Sequence, residues 1–252
     1  MGARDLPRRR IPVRARGRDR GGGGALRPPR LCDRLAGHPA RLGRDRLRLR
    51  LAGHGGLPGQ AARPGRAALR AARPGRFPLG QRGAGRSTSV GKTFDYAQGE
   101  PAGQGAAFRQ VGETRLAVFT VVNAVGAVVD RDGAVVRGHL DVASGLRGAL
   151  VPGVEERLRA GRPVRPLPGN TTLTVAVTNQ RLDWRGLRTL GRQVHASMAR
   201  AIHPFHALVD GDVLYAVTTN EVDSPVLESI GLGVLCSELA WDAVLSAVRV
   251  PT

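Results

Sequence analysis

Asn170, Thr171 and Thr172 stand in the stretch PGNTTLTVAV, where a turn gives way to a run of threonine and valine. Pro-Gly-Asn is a turn signal and Thr and Val favour strands, so this is a strand entry on local grounds alone. The residue types also allow chemistry. A threonine hydroxyl is a poor nucleophile without a neighbouring base. If the Thr171 oxygen attacks the carbonyl of Asn170, an ester forms that water can cleave. Thr171 then becomes a chain terminus whose α-amine, with an ordinary pKa of about 7.7–8.0, is matched to general-base work near neutral pH. One residue would supply both nucleophile and base.

Four other positions carry groups that could do chemistry. Lys92 is the only lysine in a chain that otherwise uses arginine. An ammonium is compact and titratable, whereas a guanidinium is wide and keeps its proton. Asn123 ends the apolar run VFTVVN and offers an amide donor for a developing oxyanion. Asp210 and Asp212 lie two apart in VDGDVLYAV, so an extended backbone turns both to one side, where they can share a proton or hold an ammonium group. GRSTSVGKT (85–93) looks like a phosphate loop but has one residue too many before Gly-Lys and no preceding strand. His195, His203 and His206 read as polar residues near a helix end, and no metal site is expected.

The elements that must position these groups follow from the pattern of apolar residues. The stretch 77–108 is Gly-rich and reads as loop; 114–123 reads as a buried strand; Asp132-Gly133 marks a hairpin. A short helix near VEERLRA precedes a polar, Pro-rich connection, and 171–179 reads as a strand. Trp184, Leu187, Leu190, Val194, Met198 and Ile202 recur at helical spacing. A strand over 213–222 and a helical stripe from Leu232 to Val248 complete the order, which suits sheets with helices on their outer faces.

Residues 1–76 differ from the rest. They hold 21 arginines and four aspartates, a net +17 of the chain's +19, with no lysine and no aromatic residue. Residues 77–252 carry only +2. Such a segment has too little apolar surface to offset the entropy of ordering. It reads either as a disordered basic arm that binds phosphates or, preferably, as GC-rich sequence translated from a wrong frame or start. No apolar run of about 18 residues occurs, so a membrane span is not expected. Cys32 and Cys236 form neither a disulfide framework nor a metal cluster, which points to a reducing, cytoplasmic setting.

Several stretches together resemble the L-aminopeptidase/D-esterase (DmpA-like) family of self-processing N-terminal-nucleophile hydrolases, and within it the nylon-oligomer (6-aminohexanoate-oligomer) hydrolases. They are GAGRSTSVGK, GQGAAFR, VVNAVGAVVDRDGAVVRG, GNTTLTVAVTNQRL, RQVHASMARAIHPFH, DGDVLYAVTTNEVD and SELAWDAVL, in family order from about Phe77 to the C-terminus. The resemblance implies an α+β, layered αββα sandwich, incomplete because residues 1–76 do not match. It implies self-cleavage between Asn170 and Thr171, dividing the hydrolase domain into 77–170 and 171–252. Lys92, Asn123, Asp210 and Asp212 would share the pocket of Thr171. Asn123 and Lys92 would stabilise an oxyanion, and the two aspartates would orient the amine, relay protons or hold the substrate's amino end. No cofactor is implied. The partners implied are a small amide or peptide substrate and further copies of the chain, as a homo-oligomer of processed heterodimers. The family's Gly-rich stretch with a tyrosine has no counterpart before Phe77, since the only tyrosines are Tyr96 and Tyr215. Two alternatives stand beside this reading: an inactive truncated or frameshifted remnant, and nucleic-acid binding through the Arg-rich arm.

Overall fold

The computed structural model describes residues 62–162, 169–223 and 229–249. Most of the Arg-rich segment, with Cys32, and the Pro-rich connection at 163–168 lie outside the described residues. Helix α1 (Ala62–Ala71) falls inside that segment, and its residues from Gly65 onward are exposed.

A four-stranded sheet organises the remainder. Its strands are β3 (Gln104–Val111), β4 (Thr114–Val121), β7 (Leu173–Gln180) and β9 (Val213–Val222), in the spatial order β3-β4-β7-β9. β3, β4 and β7 pair antiparallel, whereas β7 and β9 run parallel. Parallel neighbours require a crossover, and helix α3 (Trp184–Ser197) supplies it, with Asp183 capping its first turn through Gly186 N–H at 2.7 Å. Helix α4 (Ser229–Val248) packs across β3 and β4 and against α3. Mixed sheets with helices on one face make the α+β class expected from the sequence.

Alternation along the strands divides the sheet into two faces. Leu116, Val118, Thr120, Thr174, Ala176 and Thr178 are buried beneath α3 and α4, and the Thr120 and Thr174 hydroxyls meet at 3.1 Å. The opposite face carries Phe119, Val175 and Val177, half-buried, with Phe108 64% and Tyr215 59% exposed. These strands are thus apolar on both sides, the pattern of a sheet meant to be covered twice.

Smaller elements flank the sheet. β1 (Ser89–Val90) pairs with β2 (Glu100–Pro101), and a three-stranded sheet has the order β6-β5-β8, formed by β5 (Ala127–Val129), β6 (Val135–Arg137) and β8 (Ile202–His203). The β5–β6 hairpin turns at Gly133, whose φ of 84° suits glycine. Helix α2 (Leu150–Arg159) is the short helix expected near VEERLRA.

Three expectations need correction. The stretch 77–108 is not all loop, because β3 begins at Gln104. Its entry is disguised by Gly105, where a Cβ would stand 2.0 Å from the Ala243 carbonyl oxygen of α4, so close packing excludes the side chain that would have signalled a strand. The helix over Trp184 onward does not reach Ile202. It ends at Ser197, Met198–Arg200 form a 3-10 turn, and Ile202 enters β8 with its side chain still buried. Finally, α4 is long and apolar enough, by length and composition alone, to cross a membrane. Here it is a core helix, with Leu232, Leu239, Ala243 and Val244 buried. Glu238 pairs with Arg131 and Arg200, and Asp242 with Arg131. The same two guanidiniums lie over the Trp241 ring, 4.9 and 5.0 Å from its centre, and its Nε1 donates to Val129 O at 3.1 Å.

The contact at Gly105 is open to test. Gly105→Ala should force α4 away from β3 and lower the thermal midpoint by about 5–10 °C, an overpacking cost of roughly 1–3 kcal/mol. Gly148→Ala, which meets no atom within 4 Å, should leave the midpoint in place; circular dichroism melts compare the two.

Candidate active site

The turn before β7 brings the singled-out residues together. Gly169 has φ +91°, a conformation that glycine takes without strain, and it delivers Asn170 and Thr171 to the sheet edge. Asn170 is buried and forms a parallel bridge with Asp210. Thr171 N–H donates to the Asn123 carbonyl at 2.9 Å, and Val213 N–H donates to Thr172 O at 3.0 Å. The peptide bond between Asn170 and Thr171 is therefore held from both sides before β7 begins.

The Asn170 carbonyl oxygen is the focus of the site. It accepts from the Thr171 hydroxyl at 2.5 Å and from Gly211 N–H at 2.9 Å. A hydroxyl and a backbone N–H thus meet on one carbonyl oxygen. Gly211 escaped the sequence reading because it contributes only its backbone. Its place between two aspartates was the available signal. A Cβ there would stand 2.7 Å from Thr171 Oγ1, so glycine also leaves room for the hydroxyl.

Asn123 joins the turn before this carbonyl to Lys92. Its Oδ1 accepts from Lys92 Nζ at 3.0 Å and from Ser89 N–H at 3.2 Å, while its Nδ2 donates to Gly169 O at 3.1 Å. The amide hydrogen is therefore engaged one carbonyl before the Asn170–Thr171 bond. Lys92 is buried, its stem crosses Gly99, and its ammonium lies 5.7 Å from the centre of the half-exposed Tyr96 ring. Burial pulls the ammonium down to about 8, a shift only partly opposed by the charge of Asp210.

The two aspartates differ in what they hold. Asp212 is buried, its Oδ1 accepting from Thr172 N–H at 2.5 Å and its Oδ2 from His206 N–H at 3.0 Å, so it fastens β7 to the loop before β9. Asp210 Oδ1 accepts from Val125 N–H at 3.4 Å, whereas its Oδ2 is buried with no hydrogen-bond partner among the described residues. Burial and the neighbouring Asp212 push the Asp210 carboxyl up to about 6, against the pull of two backbone N–H groups and Lys92. Asp210 is thus the carboxylate with an oxygen to spare.

His195 and His206 stack edge to face at 4.8 Å beside Asp212. They line a cavity of about 510 Å³ between α3 and β9 with Leu187, Gly191 and Leu214; Thr171 is not on its wall. Cys236 lies in α4, where burial pushes its thiol up to about 12.

The position of Lys92 makes a statement about stability. Between pH 8 and 10.5 the unfolded chain keeps a proton that the folded chain has released, so raising the pH removes a penalty and stabilises the fold. Denaturant titrations of the parent, compared with Lys92→Met to cancel other groups, should show a relative gain of about 2–3 kcal/mol over that interval.

The family model described as peptidase family S58 matches residues 57–249, a match that begins upstream of Phe77. A 6-aminohexanoate-oligomer endohydrolase from Kocuria sp. (strain KY2) is 44% identical over 195 residues, covering 73% of this chain and 55% of that protein. A 6-aminohexanoate-oligomer endohydrolase from Paenarthrobacter ureafaciens is 45% identical over 193 residues, covering 73% and 54%. The chain spans about half the length of these relatives. Among solved structures, an L-aminopeptidase D-Ala-esterase/amidase from Ochrobactrum anthropi aligns at 18% identity with a TM-score of 0.43, covering 72% of this chain and 47% of that one. From Gly-rich entry to C-terminal helix, the match to the family model makes this chain a member of peptidase family S58.

Proposed function

We propose that the chain is a self-cleaving amide hydrolase whose nucleophile is Thr171, freed as an N-terminal residue by scission after Asn170. The reading is carried by one observation: the Thr171 hydroxyl and Gly211 N–H converge on the Asn170 carbonyl. In the first step Thr171 Oγ1 bonds to the carbonyl carbon. The C–N bond to Thr171 breaks, the hydroxyl proton ends on the released amine, and an ester remains. Gly211 N–H faces the oxygen that carries the transient charge. Water then divides the ester, leaving an Asn170 carboxylate and a Thr171 amine.

The same groups serve the mature site. The free amine takes the hydroxyl proton, and the nearby Lys92 ammonium favours its neutral form by charge repulsion. Lys92 and Asn123 stabilise the oxyanion. Asp210, with its spare oxygen, orients the amine or holds a substrate's amino end, while Asp212 keeps the strand entry in register. Membership of a peptidase family supports amide or peptide substrates. The names of the two bacterial relatives favour linear 6-aminohexanoate-type amides. The processed halves stay together through the β4–β7 pairing, and the open apolar face of the sheet suits further assembly into an oligomer in the cytoplasm.

Two outcomes follow. Intact mass of purified protein should show a fragment running from Thr171 to Thr252; Thr171→Ala should remain a single chain, and Thr171→Ser should still cut. A parent that stays whole on prolonged incubation contradicts the reading. Gly211→Ala, by pushing a methyl group at the Thr171 hydroxyl, should slow scission about 10- to 100-fold, measured as the rate of fragment appearance on denaturing gels.

A further inference from the structure

Glu100 lies outside the chemistry described above, yet its surroundings are built around its charge. The carboxylate is buried at the β1–β2 pair, where Glu100 stands opposite Val90. Its Oε2 accepts from Arg147 Nε at 2.6 Å and Gly138 N–H at 2.7 Å, and its Oε1 from Arg147 Nη2 at 2.7 Å and Arg137 Nη1 at 3.5 Å. Two arginines and a backbone amide hold the carboxyl below its ordinary value despite burial.

The backbone that Glu100 grips is the wall beside Lys92. Gly138 has φ +95° and Gly91 has φ +76°; a Cβ on Gly91 would stand 2.2 Å from Gly138 Cα, so the two backbones touch. His139 N–H donates to Gly91 O at 3.3 Å, and Leu140 N–H donates to Gln98 O at 3.1 Å, next to the Gly99 that the Lys92 stem crosses. The His139 ring is held by Thr93 Oγ1 at 2.9 Å. The polar and charged groups disposed about the ammonium are Asn123, Asp210 and the Tyr96 ring.

We propose that Glu100 is a positioning residue for Lys92: its carboxylate fastens Gly138 against Gly91 and so keeps the neighbouring ammonium enclosed and seated on Asn123. The function of this clamp rests on the hydrolase reading, but its test does not. Because Lys92 is the sole lysine, protein grown on lysine labelled with ¹³C at Cε shows one such resonance, which reports the titration of that amine. The full chain carrying Thr171→Ala stays uncut and serves as the reference. In Glu100→Gln the midpoint should move upward by about one pH unit, toward an ordinary lysine, as water reaches the ammonium. Arg147→Gln, which removes the paired bonds to Glu100 without adding a second lysine, should move it less, in the same direction. Glu238→Gln, which removes the α4 charge shared by Arg131 and Arg200, should lower the melting temperature and leave the midpoint alone. An unchanged or lower midpoint in folded Glu100→Gln overturns the proposal. So does an unchanged midpoint in Arg147→Gln, which carries the test if Glu100→Gln does not fold. Absence of self-cleavage in the parent would sink the hydrolase reading and leave this result standing.

Discussion

Three pieces of chain meet at one asparagine. Asn123 accepts from Lys92 and from Ser89 N–H, donates to Gly169, and receives Thr171 N–H on its backbone oxygen. The partners of its side chain lie 31 to 46 residues away along the sequence. An amide donates and accepts at once: a carboxylate would lose the bond to Gly169, and an apolar residue would strand buried donors. A network of this kind is stiff when complete and costly when broken. It explains why a loop, a strand end and a turn keep one arrangement next to the Asn170–Thr171 bond.

The site also depends on charges held where water is scarce. A buried lysine and a carboxyl with an unpartnered oxygen are both disfavoured as ions, and each moves toward neutral pH as a result. The surrounding glycines make that burial possible. Gly91 and Gly138 allow two backbones to touch, Gly99 admits the lysine stem, and Gly211 leaves space for the threonine hydroxyl. Close backbone approach replaces side-chain volume at each of these points, so polar groups are placed by main chain rather than by flexible side chains.

The fold behind the site is a sheet with unequal faces. One face is sealed by α3 and α4 around Leu116, Val118 and Ala176; the other presents aromatic and β-branched residues that remain accessible. The strand that begins at Leu173 is therefore rigid along one side and open along the other. Its partner β4 lies on the far side of the proposed scission point in the chain. Their pairing is thus a connection that would outlast cleavage.

Much of this was legible in the residues themselves. Strands β4, β7 and β9 and the hairpin at Gly133 follow from apolar runs and turn residues, and Lys92 stood out because it is alone of its kind. Other features were hidden for identifiable reasons. β3 escaped notice because Gly105 yields its side chain to α4. Ile202 kept helical spacing while leaving the helix, since burial rewards an apolar residue in either conformation. Gly211 acts through a backbone N–H that no side-chain pattern reveals. The sequence by itself determined which chemical groups exist and which segments alternate or repeat, because propensity and periodicity are local. Only the tertiary structure decided that Asp210 keeps an oxygen without a hydrogen-bond partner among the described residues while Asp212 is occupied, and that Glu100 braces the wall beside Lys92. Both depend on distances between segments remote in the chain, and these are set by packing, not by local preference.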